Sequence, residues 1–138
     1  MHHIAILNKQ KDLLNQILSS KKTIESRWYK FQRTPYKNIR PNDTVYLKNS
    51  GQPVTAKVQV DKVLFFNNPS ESEIQEIMDK YSKQICIDNN YISNAPKNYI
   101  TLIFLRNPTR IEPFNINKKG FGNMAAWITL ENIEKIKI

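Results

Sequence analysis

The sequence predicts an α+β fold, a curled β-sheet or small β-barrel with two or so flanking helices. Several strand-like segments follow one another at short spacing, whereas only two segments show the spacing of an amphipathic helix. The helices do not alternate with the strands, and the chain lacks a Gly-x-Gly-x-x-Gly or phosphate-loop pattern, which argues against a βαβ nucleotide-binding layout. Since 138 residues suffice for one core and no repeat or linker interrupts them, we expect a single domain over residues 1–138.

The first half of the sequence shows one helical pattern among four strand patterns. Asn8 can cap a helix that runs to Ser20, because leucine and isoleucine recur at the spacing of one helical face. The polar stretch that contains Pro35 and Pro41 is predicted to be a loop. The strands predicted in this half are residues 2–7, 23–29, 44–48 and 54–66.

The second half is predicted to hold one further helix and three strands. Ser70 and Glu73 have the spacing of a capping box, and apolar residues follow them at helical spacing. Residues 99–105 are apolar on both faces, which predicts a central strand. The remaining strands are predicted over residues 111–117 and 126–130.

The chain is basic, with a formal net charge of +9 and a pI near 9.7. Residues 21–40 hold seven lysines and arginines against one acid, Glu25, so a net charge of +6 is concentrated in this stretch. A polyanionic partner, RNA or a nucleotide, is therefore expected.

Other classes of protein are disfavoured by the composition. No apolar run approaches the roughly 20 residues of a membrane span, so no membrane partner is expected. The start of the sequence has no secretory signal pattern, and Cys86 as the only cysteine excludes an internal disulfide, so a cytoplasmic location is expected. His2 and His3 would point to opposite faces of a strand, so we expect neither a metal site nor a two-histidine nuclease, and no cofactor.

The candidate site lies in the basic stretch. Because side chains alternate along a strand, Glu25 and Arg27 are predicted to stand on one face, about 7 Å apart at their backbones. Lys22 reaches the same face from the junction of helix and strand. A carboxylate between two cations stays ionised and holds them in place, so the cations could bind phosphate while the carboxylate accepts hydrogen bonds from a base. A salt-bridged strand face without a ligand is the structural alternative.

Residues 20–27, Ser-Lys-Lys-Thr-Ile-Glu-Ser-Arg, resemble the G-x-K-x-x-E-x-R signature of ASCH domains, which belong to the PUA-like superfamily. Lys22, Glu25 and Arg27, here called the charged trio, match its charged positions, and Ser20 stands where the family usually has glycine. The resemblance implies a PUA-like β-barrel over the whole chain and a cleft lined by the charged trio. It also implies a role in RNA binding or RNA-associated chemistry.

The same resemblance leaves an enzymatic alternative. Some ASCH-like proteins are amidohydrolases that remove an acyl group from acetylated cytidine with a lysine, a threonine and a glutamate, and others have been proposed as ribonucleases. Glu25 occupies the position of that threonine, and Thr23 lies two residues earlier, so the hydroxyl mechanism is not carried over. A binding module is favoured. The alternative is a metal-independent hydrolase of RNA or of an acylated nucleoside, with Lys22 and Glu25 in acid and base roles.

Two more features are candidates for ligand contacts. Tyr29, on the predicted face of Glu25, could stack on a base, whereas Trp28 is expected in the core. The segment 118–123 holds two of the chain's three glycines, which predicts positive φ angles and a backbone that could present N–H groups to phosphate. A plain turn is the alternative for this segment. Its candidate contacts are Lys119, Gly120 and Gly122.

Overall fold

A computed structural model describes residues 1–122 and 124–138. Over this part of the chain, six strands form one mixed sheet that curls into a half-barrel, and three α-helices flank it, which confirms the predicted α+β class. The strands are β1 His2–Leu7, β2 Ile24–Tyr29, β3 Thr44–Asn49, β4 Val54–Asn67, β5 Tyr99–Phe114 and β6 Trp127–Leu130. The α-helices are α1 Leu13–Leu18, α2 Glu71–Ile85 and α3 Asn89–Asn94, and 3-10 turns cover Lys9–Lys11 and Ile133–Lys135.

The strand order places the predicted site on an edge of the sheet. The order is β2-β5-β4-β3-β1-β6, in which β1 and β3 are parallel and the other neighbours are antiparallel. The α2 helix packs against β2, where Ile24 and Trp28 join Ile77 and Ile85 in one apolar cluster. The core position expected for Trp28 is thus confirmed, and the opposite face of β2 is left for the charged side chains.

The first helix is shorter than predicted. Asn8 does act as a cap, but its side chain accepts a hydrogen bond from the Gln10 amide and so caps only the 3-10 turn. Asp12 then has φ 55°, in the left-handed region, which breaks the helical path before α1 begins. The apolar face survives the break, because Leu14 and Ile17 remain buried. No helix in the described ranges is long and apolar enough to cross a membrane.

The strand predicted over residues 99–105 and the first part of the one predicted over residues 111–117 belong to one continuous strand, β5, which ends at Phe114. Pro108 lies between the two predicted segments, and proline cannot donate to a strand ladder. The pairing of β4 with β5 shifts register here, so that Asn107 and Pro108 together oppose Val58, and Asn107 has φ 53°. This bulge lets β5 continue past the proline.

A buried histidine ties β1 to the loop before β3. His3 is fully buried, its Nε2 lies 2.8 Å from Asp43 Oδ2, and its Nδ1 accepts a hydrogen bond from Trp127 Nε1 at 3.2 Å. Because an indole nitrogen only donates, Nδ1 must be an acceptor and the ring is neutral, with its proton on Nε2. Burial would raise the pKa of Asp43, but hydrogen bonds from His3 and from the Arg40 amide outweigh it and leave that pKa lowered.

We expect the stability of the protein to fall in mildly acidic solution because of this histidine. Burial lowers the pKa of His3, so the unfolded chain takes up a proton near pH 6.5 while the folded chain does not. The free energy of unfolding should therefore decrease below about pH 6.5, by up to about 1.4 kcal/mol per pH unit. Urea unfolding between about pH 5 and pH 8 measures this slope.

The His3→Gln variant is the control for that slope. The pKa of His2 is also lowered, first by burial, and its effect has the same sign, so the variant should keep part of the pH dependence and lose the part due to His3. Identical slopes in the variant and the wild type would show that His3 is not the responsible group.

Candidate functional site

Lys22 lies between α1 and β2 and is almost completely buried, with 2% of its surface exposed. Its Nζ donates hydrogen bonds to the carbonyl oxygens of Ile24, at 3.0 Å, and Ile85, at the end of α2. It also lies 3.6 Å from Glu25 Oε1. Since an ammonium has three donors, backbone carbonyls use two of them and the third faces Glu25. Lys22 therefore joins the end of α2 to β2 and orients Glu25.

Glu25 is the centre of the charged trio and is also buried, with 6% exposure. Its Oε1 accepts a hydrogen bond from the Ser26 amide at 3.0 Å and faces Lys22. Its Oε2 lies 3.7 Å from Arg27 Nη2, too far for a hydrogen bond, and has no donor among the described residues. A buried carboxylate oxygen without a donor costs free energy, so this atom is a place where a ligand's N–H group would be bound favourably.

Arg27 connects the two edges of the half-barrel. From the edge strand β2, its Nη1 donates to the carbonyl oxygen of Ala126 at 3.2 Å and its Nη2 to that of Ile6 at 3.5 Å. The guanidinium carbon lies 5.0 Å from the centre of the Trp127 ring. These contacts fix the guanidinium plane beside Glu25, with part of its five donors left over. The charged trio is thus brought together, as the alternation along the strand predicted.

The charged trio lines a cavity of about 500 Å³, here called the cleft. This volume is in the range of pockets that hold small ligands. The cleft is bounded by the end of β1, by β2 and by the segment from α2 to α3. Its polar and charged lining side chains are Asn8, Lys11, Lys22, Glu25, Ser26, Arg27, Cys86, Asp88 and Tyr91. No group of three His, Cys, Asp or Glu residues in the described ranges could hold a metal ion.

Tyr91, on α3, is a cleft residue that the sequence analysis missed. Burial raises the pKa of its hydroxyl; Arg27 partly offsets this shift and Glu25 adds to it, so the phenol is protonated at neutral pH. The ammonium of Lys11 lies 5.0 Å from the centre of the Tyr91 ring. The α3 helix was missed because it is short, although Asp88 carries a signal: its side chain caps the helix by accepting from the Tyr91 amide at 2.8 Å.

Four of the predicted ligand contacts lie outside the lining of the cleft. Tyr29 is half-buried beyond Arg27 on β2, and the Arg33 guanidinium lies 5.0 Å from its ring centre. Gly120 and Gly122 have φ angles of 93° and 89°, which confirms the prediction of positive φ. Neighbours of these glycines, such as Lys118 and Ala125, line an adjoining cavity of about 510 Å³. The four predicted contacts outside the lining are Tyr29, Lys119, Gly120 and Gly122. Asn123, the last residue of the predicted segment, lies outside the described residues.

Ser20 is the position at which residues 20–27 depart from the signature, and Thr23 is the only threonine in this segment. Ser20 has φ 62°, the left-handed conformation that glycine adopts without strain, so a serine makes this turn where the signature has glycine. Thr23 lines a separate depression with residues of α2, not the cleft. The cleft therefore receives no threonine hydroxyl from this segment.

Comparison with known proteins supports the fold. No protein-family model and no curated protein matches the chain. Among solved structures, an ASCH protein from Zymomonas mobilis has 15% sequence identity and a TM-score of 0.71, over 97% of this chain and 90% of that one. Two single-residue variants of that protein have 16% identity and a TM-score of 0.69, over 97% of this chain and 93% and 91% of theirs.

The strand order and the curled sheet define an α+β half-barrel, with the cleft beside the edge strand β2. The likeness to the Zymomonas mobilis structures shows more narrowly that the chain has the ASCH fold, as the resemblance of residues 20–27 implied.

Proposed function

We propose that the protein binds RNA or a modified nucleotide in the cleft, in the cytoplasm. The observation that carries the proposal is Glu25 Oε2, a buried carboxylate oxygen of a residue that lines the cleft, for which the described residues supply no donor. Exocyclic amines of bases, such as N4 of cytosine, are natural donors to a carboxylate. The net charge of +9 and the RNA-associated chemistry implied by the ASCH resemblance point to the same class of ligand.

The other cleft residues suit the remaining parts of a nucleotide. Arg27 is held in place by two carbonyls and keeps donors for a phosphate or a base edge. Lys11 is exposed at the mouth of the cleft, where a mobile ammonium can follow a phosphate. Tyr91 presents an aromatic ring for stacking on a base, the role that the sequence predicts for Tyr29.

The Glu25→Gln variant tests the proposed function. The amide replaces one acceptor oxygen with a donor, so it should repel the base N–H group and weaken binding by about tenfold to a hundredfold. Calorimetric titration with the four nucleoside monophosphates and with a short single-stranded RNA measures the loss. Glu112→Gln, an exposed residue of β5, is the matched control for the change in net charge. Equal affinities in Glu25→Gln and the wild type would contradict the proposal.

A hydrolase is the second candidate, and the same atom favours it. A carboxylate oxygen without a donor is also what the activation of a water molecule requires, with RNA or an acylated nucleoside as substrate. Lys22 would act only through Glu25, because backbone carbonyls already hold two of its donors. Incubation with acetylated cytidine and with labelled RNA, without added metal, distinguishes the two functions: product that disappears in Glu25→Gln would establish the hydrolase.

A further inference from the structure

The loop between β2 and β3 presents a second basic surface outside the cleft. Residues 30–42 contain four cations and no acid, and all four cations are exposed. Phe31 is exposed to 71%, which is unusual for a large aromatic side chain on a loop of this charge. We call Lys30, Phe31, Arg33 and Lys37 the loop surface.

The loop surface is held rigidly from below. Tyr36 is buried, with ring centres 5.4 Å from Phe65 and 5.0 Å from Tyr99, and Ile39 is buried beside the main core. The hydroxyl of Thr34 is hydrogen-bonded to that of Thr129, on β6, at 2.8 Å. Because its inner side chains are packed, the loop presents its outer ones in a fixed arrangement and loses little entropy when it binds.

Each cation of the loop surface lies over an aromatic ring and not beside an acid. The distances from the charged group to the ring centre are 5.6 Å for Lys30 over Phe31, 5.0 Å for Arg33 over Tyr29 and 5.3 Å for Lys37 over Phe65. Among the described residues, no carboxylate lies within 4.0 Å of these three cations. Their charges are therefore available to an anionic partner, and the neighbouring rings are available to planar groups of the same partner.

We propose that the loop surface binds single-stranded RNA on the segment that flanks the nucleotide in the cleft, an inference that rests on the proposed function. Alternating aromatic rings and cations are the means by which proteins hold unpaired bases and their phosphates. The loop surface follows the cleft along the chain, because β2 carries Glu25 and Arg27 and ends at Tyr29, two residues before Phe31. Three residues lie between Arg27 and Phe31, so four residue steps, at most about 13 Å of chain, join them, and neighbouring nucleotides of one strand reach both.

Comparing two ligands separates the loop surface from the cleft. The probes are the nucleoside monophosphates and a mixed-sequence single-stranded RNA of about ten nucleotides, a length typical of such sites. The variants are Phe31→Ala and the double variant Lys30→Gln with Arg33→Gln. The control variant is Lys80→Gln, on α2, which removes a lysine charge outside the loop surface. Its Nζ also lies over an aromatic ring, 5.8 Å from the Tyr81 ring centre.

We expect Phe31→Ala to weaken RNA binding by roughly tenfold and the double variant to lower the salt dependence of RNA binding by about two counterions. Binding of the monophosphates should stay unchanged in both variants. RNA binding that stays at the wild-type level in both variants, with monophosphate binding intact, would overturn this inference alone. A wild-type protein that binds neither ligand would overturn the proposed function as well. Polyglutamate that displaces RNA as effectively as unlabelled RNA would show an acidic protein partner instead and also overturn the inference.

Discussion

Replacing Lys22 with alanine is expected to lower the free energy of unfolding by about 3–5 kcal/mol, a large part of the stability of a protein of this size. The substitution leaves the carbonyls of Ile24 and Ile85 without their donor and leaves Glu25 buried beside a single cation. Urea unfolding followed by the fluorescence of Trp28 and Trp127 measures the change.

Two further variants identify the cause of this loss. Lys22→Met keeps most of the buried volume and removes the charge, so it should destabilise less than Lys22→Ala. Adding Glu25→Gln to Lys22→Met should recover part of the stability, because a neutral amide then replaces the buried carboxylate that has lost one of its two cations. If Lys22→Ala lowers the free energy of unfolding by less than about 1 kcal/mol, the Lys22–Glu25 ion pair contributes no more than an exposed ion pair does, and the account of the site is contradicted.

Arg27→Ala is expected to weaken RNA binding strongly. The variant removes a positioned cation from the cleft, so affinity should fall by about tenfold or more and the salt slope by about one. Arg27 also donates hydrogen bonds to the carbonyls of Ile6, on β1, and of Ala126, just before β6. The variant should therefore also have a lower free energy of unfolding. Binding at several salt concentrations, at a temperature where the variant stays folded, separates the two effects.

Arg27→Lys and Arg106→Ala are the controls for this prediction. Arg27→Lys keeps the charge but not the planar set of donors, so it should retain the salt slope while affinity falls. Arg106 lies on β5 with Asp61 at 3.4 Å and does not line the cleft, so Arg106→Ala should affect RNA binding less. Equal losses from Arg27→Ala and Arg106→Ala would indicate that RNA responds to net charge and not to the cleft.

The strand periodicity was sufficient to predict the centre of the site. Glu25 and Arg27 lie on one face because alternation along a strand is geometric and does not depend on the rest of the fold. The sequence did not reveal that Lys22 is buried, because the carbonyl of Ile85 that receives its hydrogen bond lies 63 residues further along the chain. Local patterns carry no information on such a contact.

The predicted contacts that lie outside the lining of the cleft share one kind of cause. Tyr29 was chosen for stacking because of its position on β2, but Tyr91 lines the cleft because α3 folds back beside β2, a tertiary arrangement. Lys119, Gly120 and Gly122 are predicted contacts because of their residue types. The two glycines do have positive φ angles, but the turn lies next to the cleft and not in it. Short helices and loop positions are set by packing more than by the propensity of their residues.

The most direct test of the proposed cleft is a titration of ¹⁵N-labelled protein with nucleoside monophosphates, followed by the amide resonances. The account predicts that the largest shifts occur at Ser26, Arg27 and Tyr91, around the free oxygen of Glu25. The account would be contradicted if no resonance shifts, or if the shifts are confined to residues far from the cleft, such as those where β4 and β5 pair with each other beyond β2.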